Sequence, residues 1–340
     1  MRKSIITLCS VCLAATLLST ACQDKKKNGE NEKTETTENT EAPTCQVVFN
    51  ADSAFASIQT QCDFGERVPE SKAHQLCGDY IVEKFKSYGL EVTEQKATVI
   101  GWDKKKLPCR NIIASYKPDA QERVLIGAHW DCRPWADHDP KKENHRKPVM
   151  GANDGASGVG MMIELARIMK DINPAVGVDF ICFDMEDYGA PYWAQDQAPD
   201  DGSDWCLGSR YWASHPHESG YTARFGILLD MVGGANATYY HEGFSLRYAA
   251  HVVQKVWGAA QRVGAGQYFL NEDGTWATDD HVPLNEIALI PTVDIIPYHK
   301  NQEASFGPTW HTVNDTPEYI SKETLKAVGQ TIVEVISNEK

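Results

Sequence analysis

The sequence predicts an α/β fold, a single domain on a mixed, mostly parallel twisted sheet with helices on both faces. Three observations carry this. Strand-like apolar runs alternate with segments of helical periodicity along the chain. Two runs, Val124–Ala128 and Val178–Cys182, are apolar enough to be buried strands. No internal repeat and no second block of distinct composition interrupts the pattern, so one domain fits the 340 residues.

Composition bounds the function. A hydrophobic content of 42% and a charged content of 24% are those of a soluble globular protein. The formal charge of −14 and a pI near 5.2 argue against nucleic acid as a partner, which would call for a basic face.

Residues 1–22 read as a secretory signal. Arg2 and Lys3 precede an apolar run from Ile5 to Leu18, and Ser19-Thr20-Ala21 leads into Cys22. Small residues before a cysteine resemble a bacterial lipobox, so Cys22 is expected to be lipidated and to anchor an exported, periplasm-facing protein to a membrane. Residues 23–43 are mostly Lys, Glu, Asn and Thr and are expected to be a flexible tether. The folded domain is then 44–340. Of the ten cysteines, Cys9 and Cys12 leave with the signal and Cys22 is the anchor. The remaining seven cannot all pair, and Cys77 and Cys182 read as small core residues.

In chain order, Glu70-Ser71 opens a helix with Ala73, Leu76, Cys77, Tyr80, Ile81, Phe85 and Tyr88 at helical spacing, and Gly89 stops it. Val92–Ile100 reads as an edge strand and Asn111–Ala114 as a second. Val124–Ala128 ends in His129-Trp130-Asp131. A polar loop leads to Gly151-Ala152-Asn153-Asp154-Gly155-Ala156-Ser157-Gly158 and a helix burying Val159, Met162, Ile163, Ala166 and Met169. Val178–Cys182 is followed by Phe183-Asp184-Met185-Glu186-Asp187, and then by a Trp-rich loop. Phe225–Leu229 is a strand with Asp230 at its end, and Leu246–Ala260 is helical. Ile287–Ile296 is expected to be a strand interrupted by Pro291, near an edge. Ser321 caps a closing helix.

Polar groups therefore recur just after strands: His129 and Asp131, Glu186 and Asp187, Asp230. Asp154, Asp280 and His311 lie in loops. Ligands of open α/β sheets bind at the carboxyl ends of strands, where groups distant in sequence can meet. Each residue alone has an ordinary reading: Asp154 as a turn former, Glu186-Asp187 as a solvated turn, the tryptophans as packing. Asp154, Asp187 and His311 would suit a catalytic zinc, which takes three protein ligands and an open position, with Glu186 free to move protons.

The ordered set His129-Trp130-Asp131, Gly-Ala-Asn-Asp154-Gly-Ala-Ser-Gly, Glu186-Asp187, Leu229-Asp230-Met231, Asp279-Asp280-His281 and Trp310-His311-Thr312 resembles the zinc peptidase M28 family. Within it, Trp310 before His311 and the doublet Asp279-Asp280 resemble the glutaminyl cyclase branch more than the aminopeptidases. That likeness implies one zinc per chain on Asp154, Asp187 and His311, with Glu186 as proton carrier. It implies Asp280 and Asp230 as further catalytic groups, and Trp193 and Trp310 as pocket walls. The substrate would be a peptide with N-terminal glutamine, converted to pyroglutamate with loss of ammonia. Asp187 departs from the Glu of many members, and His129, Asp131 and Asp230 leave a second metal open. The rivals are a two-zinc aminopeptidase and a non-catalytic peptide-binding lipoprotein.

Overall fold

The computed structural model describes residues 42–300, 302 and 304–340, which fall in one compact unit, Thr40–Lys340. The signal segment, Cys22 and the tether up to residue 41 lie outside the described residues.

The helices and strands run in the order α1 (Ala51–Asp63), α2 (Lys72–Ser87), β1 (Glu91–Ile100), β2 (Lys106–Tyr116), β3 (Arg123–His129), α3 (Ala156–Ile172), β4 (Gly177–Phe183), α4 (Leu207–Ser214), β5 (Gly226–Leu229), β6 (Tyr239–His241), α5 (Gly243–Arg262), β7 (Phe269–Asp273), α6 (His281–Glu286), β8 (Thr292–Ile295) and α7 (Lys322–Ser337). Six strands form a sheet in the order β1-β2-β4-β3-β5-β8, and β6 and β7 form a small second sheet. The β1/β2 and β2/β4 pairings are antiparallel; β4/β3, β3/β5 and β5/β8 are parallel. The mixed, mostly parallel sheet expected from the sequence is present.

Both faces of the sheet are covered. Alternate residues of β3 divide between two cores: Val124, Ile126 and Ala128 pack with α1, α2, α3, α5 and α7, while Leu125 packs with Trp212 and Leu284 of α4 and α6. This two-sided burial is why β3 reads as a continuous apolar run.

Five elements, α1, α4, α6, β6 and β7, were not legible. Helix α1 escaped because Ser57 and Gln61 lie on its buried face beside Ala54 and Ile58; Gln61 is satisfied there by donating to the Ala156 carbonyl at 3.1 Å. Helix α4 is only 8 residues long, and β6 and β7 are 3 and 5. The stretch 287–296 is also shorter as a strand than expected. Chain 281–286 is helical, Leu289 takes a left-handed φ of 56° and is 77% exposed, and β8 begins only after Pro291. It does lie at the sheet edge. All seven remaining cysteines are unpaired, with Cys77 and Cys182 fully buried.

Candidate active site

The parallel strands bring their carboxyl ends to one edge of the sheet. His129 closes β3 in register with Phe183 of β4, and Leu229 of β5 pairs with Ile295 of β8. The groups that follow these ends, Glu186, Asp187 and Asp230, meet Asp154 and His311 from the loops.

Backbone strain concentrates here. Met185, Cys206, Met231 and His311 all adopt left-handed φ, between 49° and 58°; such conformations persist where surroundings over-determine them. Asp131 supplies part of that determination. Its two oxygens accept the amides of Glu186 and Asp187 at 3.1 and 3.2 Å, fixing the turn that carries both carboxylates. Asp315 does the same for the glycine-rich turn, accepting the amides of Asn153 and Asp154 at 2.8 and 3.0 Å. At Gly155 a Cβ would meet His129 Nε2 at 2.5 Å, so only glycine lets the turn approach that ring.

Asp154, Asp187 and His311 converge with their ligand atoms within 4.8 Å of one another, all buried. His311 Nε2 lies 3.3 Å from Asp187 Oδ1 and 3.7 Å from Asp154 Oδ2. Both Asp187 oxygens are buried without a hydrogen-bond partner among the described residues. Arg133 Nη1 approaches Asp187 Oδ1 at 3.6 Å, an ion-pair contact too long for a hydrogen bond. A carboxylate so buried is costly to ionise, and a bound cation would relieve it. Two carboxylates and an imidazole also form an N/O donor set suited to zinc. The residues fit the ion.

A second cluster shares Asp154. His129 Nε2 lies 3.0 Å from Asp154 Oδ1 and 3.2 Å from Asp230 Oδ1, while its Nδ1 faces Asp131 Oδ1 at 3.5 Å. Asp131, with both oxygens on backbone amides, acts from behind.

Burial pushes Asp187 up to about 6, with Asp154 adding to it and His311 opposing. Burial and Asp279 push Asp230 up to about 8 against the His129 hydrogen bond. Glu186 is raised well above the carboxylate range, first by burial and then by Asp187, Asp279 and Asp280, with His129 opposing. A buried acid among like charges is a group that can hold a proton at neutral pH.

These groups open on a cavity of about 210 Å³ whose floor carries Glu186, Asp154, Asp230 and His311 and whose walls include Trp205, Trp310, Phe306, Met231 and Ile296. Two residues expected at this cavity are elsewhere. Trp193 sits in the 3-10 turn Tyr192–Gln197, which carries it outward to stack on Arg146 at 4.7 Å. The indole in its place is Trp205, parallel to the His311 ring at 6.1 Å. Asp280 is fully enclosed and accepts from Ser209 at 2.5 Å, whereas its neighbour Asp279 lines the cavity. Asp280 stands at the residue before α6, with its side chain making no capping bond to the helix. Sequence reasoning missed Trp205, Asp279, Arg133, Asp137, Asp315 and Cys206; only the doublet and the Trp-rich loop hinted at the first two.

Residues 111–336 match the model of peptidase family M28. The chain belongs to that family. Among solved M28-type structures it resembles glutaminyl cyclase from Bacteroides thetaiotaomicron bound to N-acetylhistamine, at 49% identity over 86% of this chain and 99% of that one, with a TM-score of 0.84. The glutaminyl cyclase of Tannerella forsythia is similar at 49% identity, 86% and 100% coverage and TM-score 0.84. So is a Zn-dependent exopeptidase from Parabacteroides distasonis, at 48% identity, 87% and 100% coverage and TM-score 0.84. The chain spans less than half the length of the first curated relatives it matches. One is aminopeptidase YwaD of Bacillus subtilis, 27% identical over 241 residues, with 68% of this chain and 46% of the relative covered.

Proposed function

We propose that this M28 protein is a zinc-dependent glutaminyl cyclase, converting the N-terminal glutamine of peptides and proteins to pyroglutamate with release of ammonia. The observation that carries the reading is Glu186, a buried carboxyl of raised proton affinity on the floor of a small, indole-walled cavity. The likeness to solved cyclases over nearly their whole length supports it.

One zinc per chain is assigned to Asp154, Asp187 and His311; when bound it supplies Lewis acidity to the side-chain carbonyl of the substrate. The α-amine of the substrate attacks the side-chain carbonyl carbon in its neutral form, and the Glu186 carboxylate takes one proton from that nitrogen as the bond forms. The new C–N bond closes the ring. The C–NH₂ bond breaks as Glu186 returns the proton to the departing nitrogen, which leaves as ammonia. Asp279 and Asp230, both on the cavity surface, accept hydrogen bonds from the reacting nitrogens. Asp279 takes the role read from the sequence for Asp280. Trp205, Trp310 and Phe306 keep water out, which an intramolecular nucleophile needs to outrun hydrolysis.

The test is incubation of the purified chain with a Gln-initiated peptide, read by mass. Loss of ammonia at unchanged chain length is expected; release of free glutamine would make the protein an aminopeptidase. That second reading is favoured by the His129–Asp154–Asp230 cluster, which could hold a second zinc.

The segment 1–22 supports export and anchoring through a lipidated Cys22 on the periplasmic side, and exported proteins with glutamine first are the matching substrates. No helix among the described residues is long and apolar enough to cross a membrane. Labelling with a radioactive fatty acid should mark the parent chain and not Cys22→Ala.

A further inference from the structure

We infer that Arg133 is a positioning residue that sets the zinc ligands and the cavity wall together, a role that rests on the metal assignment above. Its side chain is 1% exposed, and its donors are spent on the site. Nε and Nη2 donate to the two oxygens of Asp137, each at 2.7 Å. Nη1 donates to the Asp187 carbonyl at 3.0 Å and to the Gly189 carbonyl at 3.2 Å. Its plane lies over Trp205, 4.6 Å from the ring centroid.

Each partner leads to a working part of the site. Asp187 is an assigned ligand, and Arg133 holds its backbone. Asp137 Oδ1 is 3.5 Å from Nδ1 of His311, the ring atom facing away from the ligand cluster. The contact is too long for a hydrogen bond, yet Nδ1 is otherwise without a partner among the described residues, so the Asp137 carboxylate is the group that biases the ring's orientation. Trp205 lies against both the guanidinium and Gly189, where a Cβ would come within 2.0 Å of the indole. The same indole walls the cavity and runs parallel to His311. A planar fork can bridge a carboxylate, two carbonyls and an aromatic face at once; an ammonium cannot.

Arg133→Lys keeps the charge and removes the fork, so it separates positioning from simple charge balance. Zinc affinity would be measured on the full chain by competition with a chromogenic chelator, beside kcat and KM for a Gln-initiated peptide. Asp137→Asn serves as the second variant. Both variants should bind Zn²⁺ at least about tenfold more weakly, and Arg133→Lys should raise KM more than it lowers kcat. A folded Arg133→Lys protein that binds zinc within twofold of the parent, losing only thermal stability, would show a merely structural ion pair and overturn the inference. If the lysine variant does not fold, parental zinc affinity in folded Asp137→Asn overturns it equally. The zinc measurement needs no turnover, so failure to cyclise glutamine would sink the functional reading without touching this one.

Discussion

Glu186 Oε1 lies 3.3 Å from Cys206 Sγ, and that thiol is the one hydrogen-bond partner of the Glu186 carboxyl among the described residues. A thiol is a weak donor. It holds the carboxyl in place without tying up the proton that the carboxyl must exchange. Asp131 meanwhile fixes the backbone at Glu186 and Asp187. Glu186→Gln should therefore lower kcat by at least about 10²-fold, the scale of a lost general acid–base group, while zinc content stays at the parent level. Metal analysis beside steady-state kinetics checks both halves, and activity retained with zinc bound would remove Glu186 from the reaction.

Asp187 should trade stability against metal binding. Its pKa, raised to about 6 by burial, means that its ionised form destabilises the zinc-free fold. That penalty is absent below the unfolded value near 3.8, grows as pH rises to about 6, and is full above it. At pH 7, Asp187→Asn should raise the melting temperature of chelator-treated protein and abolish the stabilisation that added zinc gives the parent. The parent should recover activity with about one zinc per chain. Recovery that needs two would favour the aminopeptidase. Calorimetry with and without zinc decides the first point and metal titration the second.

Much of this was legible in the sequence because both sheet and site obey local rules. Strands buried on two faces are continuously apolar, and polar residues in such a chain stand out where the strands stop. That is how Glu186, Asp187 and Asp230 could be read off their positions after β4 and β5. What was hidden depends on orientation. Asp279 and Asp280 are adjacent and chemically identical, and only the entry into α6 decides which faces the cavity. Trp193 and Trp205 share one irregular loop with no period to fix either ring. Arg133 looked like an ordinary member of a polar loop, because its partners Asp137, Asp187 and Gly189 meet only after folding.

The two loop tryptophans should separate kinetically. Trp205 lines the cavity and stacks against the His311 ring, so Trp205→Ala opens the wall to water and removes apolar contact with the substrate. A contact of 1–3 kcal/mol predicts roughly a tenfold or greater loss in kcat/KM. Trp193, stacked on Arg146 outside the cavity, should tolerate alanine within about twofold. The opposite ranking would mean that the loop rearranges when substrate binds.

Acid stability should be governed in part by Glu242, away from the cavity. Burial alone would raise its carboxyl, but the hydrogen bond and charge of His281 and the amides of Phe244 and Ser245 outweigh it, holding Glu242 down to about 2. The bonds are short: 2.9 Å to His281 Nε2, 2.9 Å from the Phe244 amide and 2.7 Å from the Ser245 amide. A depressed acid stabilises the fold above its unfolded value of 4.5 and loses that contribution as pH falls toward about 2. At 1.36 kcal/mol per unit the contribution is at most about 3 kcal/mol. Glu242 also caps α5 and ties His281 at the start of α6, so its protonation loosens two helices that flank the β5–β8 edge. Urea unfolding between pH 3 and 6 should show stability falling with acid in the parent. Glu242→Gln should start lower and fall less steeply, because glutamine keeps the shape but has no proton to gain. An equal slope in both proteins would assign acid sensitivity to other carboxylates.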